Sequence, residues 1–381
     1  MSGLPRKMKS AAESLVCFVL CLGCAQCATN PRTQMERATL FGPHTVASSD
    51  GTIEATVYGD LLDRSAAVPQ KTDWLTEFLY GPAMPPRRLL RTPQGLTSLG
   101  GTIFVCDQGV PDVFRVDFVH DGVVSPIRFS DRPVCPVSIA AGPEGSLYVA
   151  DTTRRAVLSY DSTGNIVEML SPTDGNDGFI PTSVLVYGST LFVADRGGRR
   201  IARYDFPSRE WLSSWSPSSD SPLGAPTGLA MSEDEVLLIS DALGGVIHRV
   251  DREGRWQTPM GRRGRAVGEL IRPMGLCCTR SGLILVADAA KQAVVVFDRD
   301  GRELMDIGGA DGDWRWTLPC GIAWLAEFEP QGLKGLDEIA APDSREWIVV
   351  SDMLGGGGLT LIGIDQKRMP EDGALATGAH E

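Results

Sequence analysis

Histidine is scarce in this chain: 381 residues hold four, His44, His120, His248 and His380. A zinc centre built on several imidazoles has little to draw on. The chain also lacks a G-x-S-x-G elbow, which removes the usual support for a Ser–His–Asp hydrolase. Its longest glycine run, Gly355-Gly356-Gly357-Gly358, resembles a phosphate-cradling loop but lacks the G-K-[ST] ending. Cys24-Ala25-Gln26-Cys27 is a C-x-x-C with Ala28 where covalent haem attachment requires His. Basic residues are outnumbered 36 to 48, a net charge of −12. Such a balance disfavours general nucleic-acid binding, and no nucleic-acid partner is expected. No apolar run reaches the ~20 residues of a membrane-spanning helix.

What the chain does have is repetition. Six times a β-branched or aromatic run ends on aspartate: Val105-Cys106-Asp107, Val149-Ala150-Asp151, Val193-Ala194-Asp195, Ile239-Ser240-Asp241, Val286-Ala287-Asp288 and Val350-Ser351-Asp352. The aspartates are spaced 44, 44, 46, 47 and 64 residues apart. Upstream of each lies a second marker: Pro93-Gln94-Gly95-Leu96, Pro136-Val137-Ser138-Ile139, Pro181-Thr182-Ser183-Val184, Pro226-Thr227-Gly228-Leu229, Pro273-Met274-Gly275-Leu276 and Pro319-Cys320-Gly321-Ile322. Two independent markers agree on six copies, and the long last step reflects an insertion, residues 325–346. Each copy holds about four short strands, and a period of ~40–50 residues with four strands fits a propeller blade.

The P-x-G-[LIV] and [LIV]-[YFL]-V-A-D markers resemble NHL repeats over roughly residues 74–364. The resemblance implies an all-β fold, a six-bladed β-propeller of four-stranded blades of NHL type, its ring closed by an N-terminal strand. Residues 74–80, W-L-T-E-F-L-Y, read as an outer strand with no blade before it. They are expected to complete the sixth blade by pairing with residues 359–364, because an open ring would expose sheet edges. Ile53, Ala55 and Val57 form a weaker alternating run, read as at most one edge strand in a polar tether.

Residues 1–23 read as an export signal: Arg6, Lys7 and Lys9 form a basic start, and residues 15–22 an apolar core. Leu20-Cys21-Leu22-Gly23-Cys24 resembles a bacterial lipobox, which implies lipidation at Cys24. The expected organisation is a signal peptide over 1–23, a tether over 24–71, the propeller over 72–366 and a polar tail over 367–381. The expected location is the extracytoplasmic side of a bacterial membrane, periplasmic or cell-surface, held by the lipid anchor. Loss of the signal takes three of the 36 basic and one of the 48 acidic residues, moving the net charge from −12 to −14.

In a four-stranded meander the second turn of each blade lies on the same face as the linkers between blades. That face carries Arg154, Arg155, Arg199, Arg200 and Lys291, with Arg87, Arg88, Arg262, Arg263 and Arg265 from linkers and Asp174, Asp177, Asp311 and Asp313 among them. The opposite face carries Glu144, Glu233, Asp234 and Glu235, and the insertion adds Glu327, Glu329, Asp337, Glu338, Asp343 and Glu346. A dipolar disc follows, its basic face suited to an acidic partner; solvated turn charges are the competing reading. The six repeated aspartates Asp107, Asp151, Asp195, Asp241, Asp288 and Asp352 are too far apart to share an ion. Each is expected to accept hydrogen bonds from the turn that follows it.

Trp211, Trp215, Trp256 and Trp316 fall on outer strands or beside them, where packing between blades is expected. An odd set of five cysteines, Cys106, Cys135, Cys277, Cys278 and Cys320, lies in the repeats. They read as buried thiols, with a Cys277–Cys320 bridge conceivable. No catalytic residue, protein metal site or cofactor is assigned; a carboxylate-and-carbonyl Ca2+ site in the central channel is left open. The resulting expectation is a non-enzymatic, membrane-tethered scaffold that presents a loop face to a protein or cell-envelope component. Similar proteins serve as subunits of extracytoplasmic assemblies, electron-transfer ones included. The alternative is a lactonase or lyase using a divalent cation in the channel, although the innermost strands are poor in acids.

Overall fold

The computed structural model describes residues 44–49, 51–60, 90–117, 123–172, 178–217, 223–309, 314–326, 328, 345–354 and 358–366. Within them the chain is all-β, with one short 3-10 turn at Pro143–Gly145. Two strands, β1 (His44–Ala47) and β2 (Ile53–Asp60), precede the repeats. Blade one comprises β3 (Pro93–Leu99), β4 (Thr102–Asp107), β5 (Asp112–Asp117) and β6 (Val123–Pro126). Blade two comprises β7 (Pro136–Ala141), β8 (Leu147–Asp151), β9 (Ala156–Tyr160) and β10 (Ile166–Leu170). Blade three is β11 (Pro181–Tyr187), β12 (Thr190–Asp195), β13 (Arg200–Asp205) and β14 (Glu210–Trp215). Blade four is β15 (Pro226–Met231), β16 (Leu237–Asp241), β17 (Val246–Val250) and β18 (Trp256–Met260). Blade five is β19 (Pro273–Cys278), β20 (Ile284–Asp288), β21 (Ala293–Phe297) and β22 (Glu303–Gly308). Blade six takes β23 (Pro319–Leu325), β24 (Glu346–Asp352) and β25 (Gly358–Gln366) from its own repeat.

Each blade is an antiparallel meander, and the six innermost strands contact one another in a closed circle, β23 against β3 included. The second and third strands are buried along their whole length in blades two and five. Neighbouring blades cover both faces of each sheet, so these strands read as unbroken apolar runs rather than alternating ones.

The proline marker has a geometric cause. In all six blades the register between first and second strands slips just after the proline, at Pro93, Pro136, Pro181, Pro226, Pro273 and Pro319. Proline has no N–H to give the ladder, and a bulge accommodates that loss. Two residues on, adjacent innermost strands approach so closely that a Cβ on Gly275 would sit 2.6 Å from the carbonyl oxygen of Cys320. One on Gly95 would sit 2.6 Å from the Cα of Ser138. Glycine at this place lets the ring tighten. Three of the four serines that replace a motif residue link blades. Ser351 Oγ donates to the Gln94 carbonyl at 2.6 Å, Ser240 Oγ donates to the Met274 carbonyl, and Val184 N donates to Ser138 Oγ at 3.2 Å.

The closing strand is not the expected one. β25 is flanked by β24 on one side and β2 on the other, in register Ala55↔Ile364 and Val57↔Ile362. Both edges of residues 359–364 are therefore taken, which leaves no edge for the pairing expected of residues 74–80, themselves outside the described residues. β1 adds a fifth strand outside β2. Ile53, Ala55 and Val57 enter the core shared with blade five, beside Ile348, Val350 and Ile362. Tyr58 enters the core shared with blade one, beside Leu96, Val105, Phe114 and Leu361. A polar latch holds the strand in place: Arg345 donates to the Tyr58 hydroxyl at 2.6 Å and bonds both carboxylate oxygens of Asp365. The weak alternating run thus supplies the fourth strand of blade six and seals both of its faces.

Val57 is fully buried, so Val57→Asp places an unpaired charge in the closing core. We expect that variant to unfold or aggregate, with loss of several kcal/mol of stability. Thr45→Asp, on the exposed fifth strand, should shift the denaturation midpoint by less than ~0.5 kcal/mol equivalent. A Val57→Asp protein as stable as the parent in urea would refute closure by β2.

Candidate functional site

The repeated aspartates are buried, and each carboxylate accepts backbone N–H groups from the linker that enters its own blade. Five of them also accept from the turn that follows. Asp151 takes the N–H groups of Val134 and Cys135 from the linker, and those of Thr153 and Arg154 from the turn, at 2.6 to 3.2 Å. Asp288 repeats the pattern with Ile271, Arg272, Ala290 and Lys291. Asp107, Asp195 and Asp241 do likewise. Asp352 holds Thr317 and Leu318 of its linker. One carboxylate thus fastens two chain segments that would otherwise bury unpaired donors. The turn half of this pattern is legible in sequence; the linker half is not.

Asp241 has an extra partner, His248 Nε2 at 3.4 Å. Burial alone would raise its pKa, but the His248 contact and the backbone donors outweigh it and hold the carboxyl well below the usual range. His248 is buried against Trp256.

The five cations assigned to the second-turn face divide into two groups. Arg154 forms a fork with both carboxylate oxygens of Asp131 at 2.6 Å and donates to the Arg132 carbonyl. Arg200 is tied to Asp195 at 2.9 Å. Lys291 is buried, its ammonium donating to Ala266 O, Glu269 O and Asp306 Oδ2 at 2.6 to 3.0 Å. These three are internal ties between turn, linker and outer strand. Arg155 and Arg199 are exposed, at φ 53° and 51°, and Arg199 Nε donates to Leu223 O. Arg262, Arg263 and Arg265 are exposed on the linker into blade five, Arg262 paired with Glu269 at 2.8 Å.

The same face carries a feature missed from sequence: Val134, Leu243, Val267 and Leu354 are exposed there, on two linkers and two second turns. On the opposite face Glu144, Glu233 and Asp234 are exposed, while Glu235 pairs with Arg252 and accepts from Tyr187. Asp174, Asp177, Asp311, Asp313, Arg87, Arg88, Gly355 to Gly357 and the insertion acids other than Glu346 lie outside the described residues, as does Cys24.

At the second-turn end of the innermost strands stand Gln94, Val137, Thr182, Thr227, Met274 and Cys320, one per blade. Thr182 and Thr227 donate to carbonyls of the next blade, Pro226 O and Pro273 O. No carboxylate belongs to any innermost strand. Among the described residues no three or more His, Cys, Asp or Glu side chains converge as a metal-holding group. None of the five repeat cysteines is in a disulfide, so Cys277 and Cys320 are not bridged. Burial pushes the Cys278 thiol up to about 12 and raises the Cys106 and Cys277 thiols well above their ordinary value. The tryptophans pack against neighbouring side chains: Trp211 edge-on to Phe179, Trp215 against Phe192 under Arg203, and Trp316 buried, donating to Thr360.

No protein-family model matches the chain. It is similar to RING finger protein nhl-1 of Caenorhabditis elegans, 39% identical over 56 residues, 15% of this chain. It is also similar to Teneurin-m of Drosophila melanogaster, 27% identical over 166 residues, 34% of this chain. The chain spans only 6% of the length of each of these curated relatives. Among solved structures it is similar to a gluconolactonase of Xanthomonas campestris, with TM-score 0.55 and 17% identity over 85% of this chain and 95% of that one. A streptogramin B lyase matches with TM-score 0.51 and 12% identity, covering 72% of this chain and 94% of that one. At such identities the structural likeness is one of fold. The chain is a six-bladed β-propeller with NHL-related sequence relatives.

Because the folded-state pKa of Asp241 is depressed, its stabilisation is complete above the unfolded carboxyl value of about 3.9 and is lost as pH falls through the folded value. The parent should therefore lose stability between about pH 4 and more acid conditions. Asp241→Asn, uncharged throughout, should be less stable at pH 7 and show a flatter acid dependence, read from urea midpoints at each pH. Parallel curves for the two proteins would contradict this assignment.

Proposed function

We propose that this chain is a non-enzymatic binding propeller, tethered to the extracytoplasmic face of a bacterial membrane through Cys24. Its second-turn face docks an acid-bearing protein or cell-envelope partner, in the manner of a scaffold subunit within a larger assembly. The observation that carries this reading is the coincidence, on one turn-and-linker face, of exposed Arg155, Arg199, Arg262 and Arg263 with exposed Val134, Leu243, Val267 and Leu354. Apolar side chains give an interface its desolvated centre, and arginine supplies planar, bidentate partners for carboxylates. Long-range attraction to the basic face speeds encounter with an acidic surface, and salt weakens it.

The fold likeness to a gluconolactonase and to a streptogramin B lyase supports a second reading, a lactonase or lyase with a divalent cation in the channel. The side chains at the second-turn end of the channel, one amide and two hydroxyls beside Val137, Met274 and Cys320, give that reading few ligands.

The two readings separate in one set of experiments. Aspartate tolerates positive φ better than most residues, so Arg155→Asp with Arg199→Asp reverses charge without new strain. That double variant should lose partner capture from envelope extracts at least ~10-fold, while its urea midpoint stays within ~0.5 kcal/mol of the parent. Calcium analysis after exhaustive dialysis should find no tightly held ion. Undiminished capture by the variant, or one Ca2+ per chain with turnover of lactones, would overturn the scaffold reading.

A further inference from the structure

The second-turn end of the ring holds a cluster of soft sulfur atoms that neither the scaffold reading nor the repeat explains. Cys320, the second residue of β23, and Met353, just after Asp352, place their sulfurs 3.9 Å apart in a buried setting. Met274, the equivalent residue of β19, packs against the same cluster, which Ala289 and Leu318 enclose. The Gln94 amide lies 3.7 Å from the Met353 sulfur and hydrogen-bonds Gln108, whose own amide lies 3.4 Å from the Cys135 sulfur. Blades five and six thus bring one thiol and two thioethers together, with the side-chain amides of Gln94 and Gln108 from blade one beside them.

Thiolate and thioether ligands select soft monovalent copper, whereas zinc and calcium take harder or more numerous donors. A metal–sulfur bond of ~2.3 Å bridges a 3.9 Å sulfur pair at an angle of about 116°, close to trigonal. Met274, which packs against this cluster, is the third sulfur residue at the spot. We propose that Cys320, Met353 and Met274 form a Cu(I) site at the second-turn mouth of the propeller. Binding exchanges the Cys320 thiol proton for the metal: Cys–SH and Cu+ give Cys–S–Cu and a released H+, with no change of oxidation state. Affinity therefore falls about tenfold for each pH unit of acidification while the free thiol stays protonated. The inference stands independently of the partner-docking reading.

The test is competition for Cu(I) against a chromogenic chelator under anaerobic conditions. It uses the full chain with Cys17, Cys21, Cys24 and Cys27 changed to Ser, so that only thiols of the repeats remain. One equivalent of Cu(I) should be withheld from the chelator, with an all-sulfur first shell in X-ray absorption. Cys320→Ser should abolish this, and the nearly isosteric Met353→Leu should weaken it at least tenfold while leaving the melting temperature unchanged. Cys278→Ser should leave it intact, and Zn(II) should not compete. No withheld Cu(I), equal retention by Cys320→Ser, or preferential Zn(II) binding would overturn the site.

Discussion

Blades that contact only their neighbours make a stack with two ends, and a stack of six must join those ends or expose a sheet edge and half of an apolar core. Everything else in this molecule depends on that join. The chain meets it by carrying a strand from before the first repeat back to the last blade: β2 pairs with β25 along most of its length. Its side chains divide between the two inter-blade cores, with Ile53, Ala55 and Val57 on one side and Tyr58 on the other. The Arg345 latch onto Tyr58 and Asp365 adds direction to what is otherwise apolar packing. Because the strand lies so far in sequence from its partner, closure carries a large loop entropy that the apolar packing and the latch must offset.

Within the ring, the repeated aspartates do for each blade what the closing strand does for the whole. Two tight chain segments, a linker and a turn, meet at one carboxylate and satisfy their donors there. A face so heavily pinned is rigid, and its exposed arginines and apolar side chains are held in fixed relation. Rigidity of this kind lowers the ordering cost of docking a partner. The same pinning brings residues of successive blades into repeated juxtaposition around the axis, which is how Met274, Cys320 and Met353 come to share one pocket.

The repeat was legible because its causes are local. A proline that cannot join the ladder, a small residue where strands nearly touch, and an aspartate before a tight turn each leave a residue-level trace. The closing strand was misassigned because pairing over three hundred residues leaves none. Residues 74–80 have the stronger β-propensity by composition, and only tertiary context favours Ile53–Asp60. The arginines show the same limit. Arg154, Arg200 and Lys291 read as turn charges, yet two of their partners, Asp131 and Asp306, lie 23 and 15 residues away on other segments. The exposed valines and leucines of that face sit in linkers and turns, where periodicity carries no information.

Amide hydrogen exchange followed by mass spectrometry tests ring closure most directly. Peptides spanning Ile53–Asp60 and Gly358–Gln366 should exchange slowly and lose protection together in rising denaturant, as one cooperative unit with the flanking blades. Rapid exchange over Ile53–Asp60 beside a protected Gly358–Gln366 would show that β25 is held by something else, and that the ring closes in another way.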